Sequence, residues 1–197
     1  MSRGFPPFRV LRRRLLYRGR VVRFTCETLR APSGQTITRE VIHHPRSVVL
    51  LPMLPGGRLV MIRQFRAAIG RFIYEIPAGT SEPGEPLGAC CRRELAEEIG
   101  YRAARYERLC RFFPAPGIST EEMFLYRATG LTPLARPPAQ DVDEVIAPHV
   151  VSAAEALRMV RRGQVVDAKS IIGLTWGLGA VTFAPGRHPG RERNGAR

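Results

Sequence analysis

The chain has 197 residues, 44% hydrophobic and 24% charged, with 31 Lys+Arg against 17 Asp+Glu and a formal net charge of +14. That length is enough for one well-filled domain, and the composition excludes a disordered chain. The charge points by its size to nucleic acid or an anionic surface, but it sits at the ends: residues 1–26 carry eight Arg and no acid, residues 185–197 carry four Arg and one Glu, and everything between nets only +3.

Thirty of the 31 basic residues are Arg, and Lys169 is the one Lys. Such a skew marks genome composition rather than a nucleic-acid-binding body, in which both cations usually contribute. Nucleic acid is therefore not expected as a partner. Cys26, Cys90, Cys91 and Cys110 form no CxxC and no zinc spacing with His, so a disulfide framework is not expected and a reducing cytoplasm fits. The Arg-rich start lacks the apolar core of a secretory signal, and its prolines and few Ser argue against an organellar transit peptide. The uncharged run Ser170–Gly186 has 17 residues, short of the ~20 apolar residues a spanning helix needs. No membrane partner is expected.

In chain order, strands are predicted at about 20–30 and 36–43, joined by a turn at 31–34. The apolar runs Ser47–Leu54 and Arg58–Phe65, separated by Pro55-Gly56-Gly57, give a hairpin signal. A short strand over Phe72–Ile76 runs into Pro77-Ala78-Gly79. Pro86–Ile99 reads as a helix: Pro86 suits the first turn, Gly100 suits the position past the end, and Leu87, Cys91, Leu95 and Ile99 share a face. Further strands are predicted at about 107–113, 122–129 and 142–147. A helix over Ser152–Arg162 has Ser152 as N-cap with Glu155 three residues on, and a last helix starts near Asp167. The mixture lacks βαβ regularity, which predicts an α+β, mixed-sheet fold and not a Rossmann one. Residues from 185 on read as a disordered basic tail.

Six of the 17 acids lie between Glu75 and Glu98. Glu94, Glu97 and Glu98 sit at i, i+3 and i+4 of the predicted helix, so their carboxylates project to one side. Like charges at this spacing repel by ~0.2–0.5 kcal/mol per pair even on an exposed helix. A cation offsets that repulsion. Oxygen ligands without nearby His or Cys favour a hard ion, Mg²⁺ or Mn²⁺. The alternative is a solvated acidic face paired with Arg92 and Arg93.

The residues around them decide between the two. Gly79, Glu85, Arg93, Glu94, Leu95, Glu97, Glu98, Gly100 and Tyr101 fall on the pattern G-x5-E-x7-R-E-U-x-E-E-x-G-U, nine positions over 23 residues, where U is a bulky apolar residue. This stretch resembles the Nudix box. The resemblance implies an α/β/α sandwich with a mixed sheet, and the hydrolysis of a pyrophosphate bond by metal-activated water. It makes Glu94 and Glu98 the principal metal ligands, Glu97 a further ligand or a positioner of water, and the Ala78 carbonyl a backbone ligand. Arg93 would orient the carboxylates and Glu85 would brace the loop–helix junction.

The flanks, from about Tyr17 to Leu178, are similar to the ADP-ribose pyrophosphatase branch of that family. Arg63-Gln64-Phe65-Arg66, Tyr74-Glu75-Ile76-Pro77-Ala78-Gly79 and the loop Ala115-Pro116-Gly117-Ile118-Ser119-Thr120-Glu121 carry the likeness, with Ala115 where the branch has Ser. The resemblance implies Glu121 as the catalytic base, with Glu122 as its competitor. It implies Arg39, Arg66, Pro116 and Gly117 as substrate contacts, and Tyr17 or Phe24 as the aromatic that stacks on the base. Asp141-Val142-Asp143-Glu144 resembles an acidic stretch that approaches the site from a partner subunit. The expected protein is a cytoplasmic, Mg²⁺-dependent homodimer that cuts ADP-ribose to AMP and ribose 5-phosphate. Residues 1–45 would be a dimerising antiparallel sheet and residues 46–184 the hydrolase domain. The alternatives are another nucleotide sugar, a dinucleotide or an oxidised nucleotide as substrate, or a non-catalytic nucleotide- or RNA-binding protein on the same scaffold.

Overall fold

The computed structural model describes residues 7–138 and 145–181. Its first strand, β1 (Arg9–Arg18), was not foreseen among the arginines, because five of its ten residues are Arg and no alternation of apolar and polar positions marks it. β1 pairs antiparallel with β2 (Arg23–Arg30), which pairs antiparallel with β3 (Thr36–His43) to make a separate three-stranded sheet. All ten β1 residues are exposed, whereas Thr25 and Glu27 of β2 are buried. Glu27 Oε1 accepts from Arg13 Nε at 2.8 Å and lies 3.1 Å from His43 Nε2, which ties the three strands together.

β3 leads within three residues into the main sheet. β4 (Ser47–Leu54) is central, paired parallel with β10 (Met123–Thr129) and, at the hairpin end, antiparallel with β5 (Arg58–Arg66). β5 also carries β12 (Ile146–Ser152) and β6 (Arg71–Glu75), β4 carries the short β7 (Ala78–Thr80), and β9 (Arg105–Phe112) closes the far edge on β10. Two short strands, β8 (Tyr101–Arg102) and β11 (Thr132–Pro133), pair apart from this sheet. Of the strand expected at 142–147, residues 142–144 lie outside the described residues, and the described strand is β12, Ile146–Ser152. Its register along β5, from Gln64 to Arg58, fixes its extent, and that pairing is invisible to local pattern.

Val48–Leu51 and Leu59–Ile62 are all fully buried, so both faces of the sheet are covered. Val48, Leu50, Val60 and Ile62 pack with Cys90, Cys91, Leu95 and Ile99 of α1 (Leu87–Ile99). Val49, Leu51, Leu59 and Met61 pack on the other face with Ala156 and Met159 of α2 (Ala153–Arg161) and Leu174 of α3 (Ala168–Gly177). The result is the predicted α/β/α sandwich. α1 starts one residue later than expected, with Pro86 as N-cap, and stops at Gly100, whose φ of 71° is left-handed. Ser152 caps α2 by accepting from the Glu155 amide at 3.1 Å, as its spacing predicts. α3 lies close on the sheet because Gly173 and Gly177 face it: a Cβ at either would stand 2.3 Å from Ile76 Cδ1 or 2.4 Å from Leu51 Cδ2. Among the described residues no helix is long and apolar enough to cross a membrane.

Candidate active site

The stripe Cys91–Leu95–Ile99 holds α1 on the sheet, and this burial turns Glu94 and Glu98 toward the edge strand β7. Glu94 is 8% exposed and Glu98 2%. Glu98 Oε2 accepts the Ala78 amide at 2.9 Å. Glu94 lies directly over Gly79, where a Cβ would stand 1.8 Å from the carboxyl carbon, so only glycine leaves room for that carboxylate.

Arg93 organises the rest. Its Nη1 donates to Glu94 Oε1 at 2.7 Å and Glu97 Oε2 at 3.0 Å, its Nε and Nη2 grip Glu85 at 3.1 and 3.0 Å, and Nη2 also reaches the Thr80 carbonyl at 3.0 Å. One planar fork therefore joins helix, loop and strand. Hydrogen bonds from Arg93 hold the Glu85 carboxyl well below its usual range. Glu85 in turn raises Arg93, against the effect of burial, so the guanidinium stays charged. Glu85 Oε2 also accepts the Glu82 amide at 3.0 Å, which fixes the loop before α1. Arg92 points to solvent and takes no part in this grip.

A cavity of about 450 Å³ opens beside this cluster, lined by Ala78, Gly79, Arg93, Glu94 and Glu97, with Arg66 from β5 and Arg20 and Val21 from the β1–β2 turn. That volume suits a nucleotide-sized ligand. Arg66 Nε and Nη2 grip Glu75 at 2.6 and 2.5 Å, and Glu75 is 1% exposed. Glu75 Oε2 also accepts from Lys169 Nζ, which donates to Asp167 Oδ2 at 2.8 Å. Arg66 is raised above its ordinary value by its hydrogen bonds to Glu75.

Glu121 sits just ahead of β10, in a loop clipped to β3 by backbone bonds from Ile42 to Ile118 and from Thr120 to Ile42. Ser47 Oγ donates to Glu121 Oε1 at 2.7 Å, and His44 Nδ1 lies 3.6 Å from the same oxygen. Ser47 pairs across β4 and β7 with Thr80, whose carbonyl holds Arg93. Glu121 is thereby linked to the α1 cluster through two strands. Glu122 instead faces Arg111, at 2.8 Å. Pro116 and Gly117 are exposed in the same loop and do not line the cavity. Arg39 is exposed on β3, donating to the Thr38 carbonyl at 2.9 Å and lying outside the cavity of its own chain. Tyr17 and Phe24 are cross-strand partners on β1 and β2, also outside it. Asp141, Asp143 and Glu144 lie outside the described residues.

Sequence reasoning did not single out Arg20, His44, Ser47 or Lys169. The first three carry no local signal: Ser47 arrives on β4 through its pairing with β7, His44 from the β3–β4 connection and Arg20 from the β1–β2 turn. Lys169 had one: it is the chain's single Lys.

The donor chemistry fits a hard divalent cation, with all-oxygen ligands, two buried carboxylates and a glycine cradle under one of them. Among the described residues, however, no three His, Cys, Asp or Glu side chains converge on one point. Arg93 Nη1 takes up the space between Glu94 and Glu97, so a cation on those oxygens competes with it.

Residues 43–171 match the NUDIX domain family. The chain is 34% identical over 155 residues to an ADP-ribose pyrophosphatase of Bacillus subtilis (strain 168), covering 79% of this chain and 84% of that protein. It is 33% identical over 161 residues to a methanol dehydrogenase activator of Bacillus methanolicus, covering 82% and 87%. A crystal structure described as an ADP compounds hydrolase superimposes with a TM-score of 0.79 at 20% identity, over 91% of this chain and 96% of that one.

Proposed function

The chain belongs to the Nudix family and is a Nudix hydrolase, and on that premise we propose that it cuts ADP-ribose to AMP and ribose 5-phosphate with Mg²⁺ as its divalent ion. The observation that carries this reading is the Arg93 fork, which gathers Glu85, Glu94 and Glu97 at the mouth of a cavity walled on another side by Arg66.

In this reading Glu94 and Glu98 are the main metal ligands, with Glu97 and the Ala78 carbonyl as further donors. A bound divalent cation offsets the charge of the diphosphate and lowers the pKa of its water. Glu121 takes the proton of the attacking water, and Ser47 and His44 hold its carboxylate in place for that role. Arg66 pairs with the diphosphate oxygens. Glu122 is the less suitable base, because Arg111 already occupies it.

The proposal includes a homodimer. β1 leaves Val10, Leu11, Leu15, Leu16 and Tyr17 39–62% exposed on an edge strand that pairs only with β2 among the described residues, a surface that soluble proteins usually cover. Arg39 and Tyr17 lie on the same small sheet, outside their own chain's cavity, which suits service in a partner's site. Residues 1–45 then form the dimerising segment and 46–184 the catalytic body. Four free thiols support a cytoplasmic setting.

The relative of other stated role, the methanol dehydrogenase activator, leaves a second substrate open within the same chemistry. Initial rates on ADP-ribose, GDP-mannose, NADH and 8-oxo-dGTP with Mg²⁺ test the choice. ADP-ribose should show the highest kcat/KM by at least about tenfold; a higher value for any other compound refutes the substrate assignment.

A further inference from the structure

We propose that Lys169 is a positioning residue for the cavity. By sharing the Glu75 carboxylate, it keeps Arg66 only partly neutralised and able to present positive charge to a diphosphate. This rests on the functional reading above for the class of ligand, not for its sugar.

Glu75 has both oxygens engaged. Arg66 holds them through Nε and Nη2, and Lys169 adds a third donor from α3. Lys169 is 6% exposed and has Asp167 as its second partner. Asp167 accepts the Ser170 amide at 3.0 Å and hydroxyl at 2.6 Å, and the Ser170 oxygen accepts the Ile76 amide at 2.9 Å. The chain of contacts therefore runs from the first turn of α3 to the residue two before Ala78, the strand that carries the glycine cradle.

Two cations and two carboxylates make this network neutral. Without the Lys169 charge, Glu75 is left with Arg66 alone and Asp167 without its cation. The buried wall then becomes more negative by one charge, next to a space that has to receive an anion. Such a change is felt strongly because water screens it poorly there. Composition points to the same residue independently. Arg fills 30 of 31 basic positions, yet at 169 stands a compact ammonium with three donors, bonded to both Glu75 and Asp167.

The test compares full-length wild type, Lys169→Met, Glu75→Gln and the double variant. ADP binding is measured by calorimetry, ADP-ribose hydrolysis by steady-state kinetics, and folding by thermal unfolding. ADP carries the diphosphate without the second sugar. Lys169→Met should weaken ADP about tenfold and raise KM for ADP-ribose by a similar factor, with kcat changed less than about threefold. The double variant should regain most of the ADP affinity, since removing both charges restores neutrality. Wild-type ADP affinity in Lys169→Met, or losses in the two single variants that simply add in the double, overturn the inference. If Lys169→Met does not fold, the double decides: ADP affinity within about threefold of wild type supports the charge balance, and a larger loss overturns it. Wild type that binds ADP but leaves ADP-ribose intact refutes the substrate reading alone, and the ADP comparison still decides Lys169. Wild type that does not bind ADP overturns the inference.

Discussion

Replacing Gly79 by Ala separates the catalytic demand on this position from any structural one. The new Cβ would lie 1.8 Å from Glu94 Cδ and 1.9 and 2.2 Å from its oxygens, against ordinary contact from 3.4 Å outward. The carboxyl has to retreat by about 1.6 Å. Because the clash falls on the far end of a flexible side chain, a rotamer change absorbs it and the backbone stays. The structural cost is the 2.7 Å bond from Arg93, a charged hydrogen bond worth about 1.5–3 kcal/mol. For a domain of this size that lowers Tm by about 5–10 °C. Activity should suffer far more, since misplacing a working group by ~1 Å costs on the order of 10²-fold. The assay pairs kcat/KM for ADP-ribose with Mn²⁺ binding and thermal unfolding on the same preparation. A folded Gly79→Ala protein with kcat/KM within about fivefold of wild type would falsify the assignment of Glu94 as a metal ligand, because fivefold is well below the loss expected from such a displacement.

Three other outcomes follow from the geometry. Glu121→Gln should lower kcat about 10³-fold, within the range for a lost general base, with Mn²⁺ affinity retained, while Glu122→Gln stays within about threefold; the reverse order in a stopped assay hands the role to Glu122. Burial pushes the Asp167 carboxyl up, but Lys169 and the Ser170 hydrogen bonds outweigh it and leave it below its usual range. A depressed folded pKa stabilises fully above the unfolded value and is lost as pH falls through the folded one. The Tm gap between wild type and Asp167→Asn should therefore be wide at pH 7 and narrow below about pH 4; a gap that stays constant into acid contradicts this. Sedimentation at micromolar concentration should give a dimer, and Leu15→Glu on β1 should shift it to monomer; a wild-type monomer refutes the dimer.

The amino-acid sequence by itself determined the parts that depend on short spacing. The i, i+3, i+4 carboxylates, the glycine six residues before Glu85, the helix stop at Gly100 and the helix start at Ser152 are local, and a helix repeats its geometry wherever it forms. The apolar runs of β4 and β5, with Pro55-Gly56-Gly57 between them, likewise announced a hairpin. What lay beyond reach was everything set by pairing between distant segments. β1 was hidden because its arginines break the period-2 signal, and it is a strand through its ladder to β2 rather than its own propensity. Ser47 and Glu121 meet because β10 runs parallel to β4, and Arg66 and Lys169 meet because β6 lies against β5 while α3 folds back over Ile76. The sequence raised the expectation of divalent-cation chemistry at Glu94, Glu97 and Glu98. Only the tertiary structure decided which neighbours hold those carboxylates, since contacts across 74 or 94 residues depend on strand order and helix docking that no local pattern encodes.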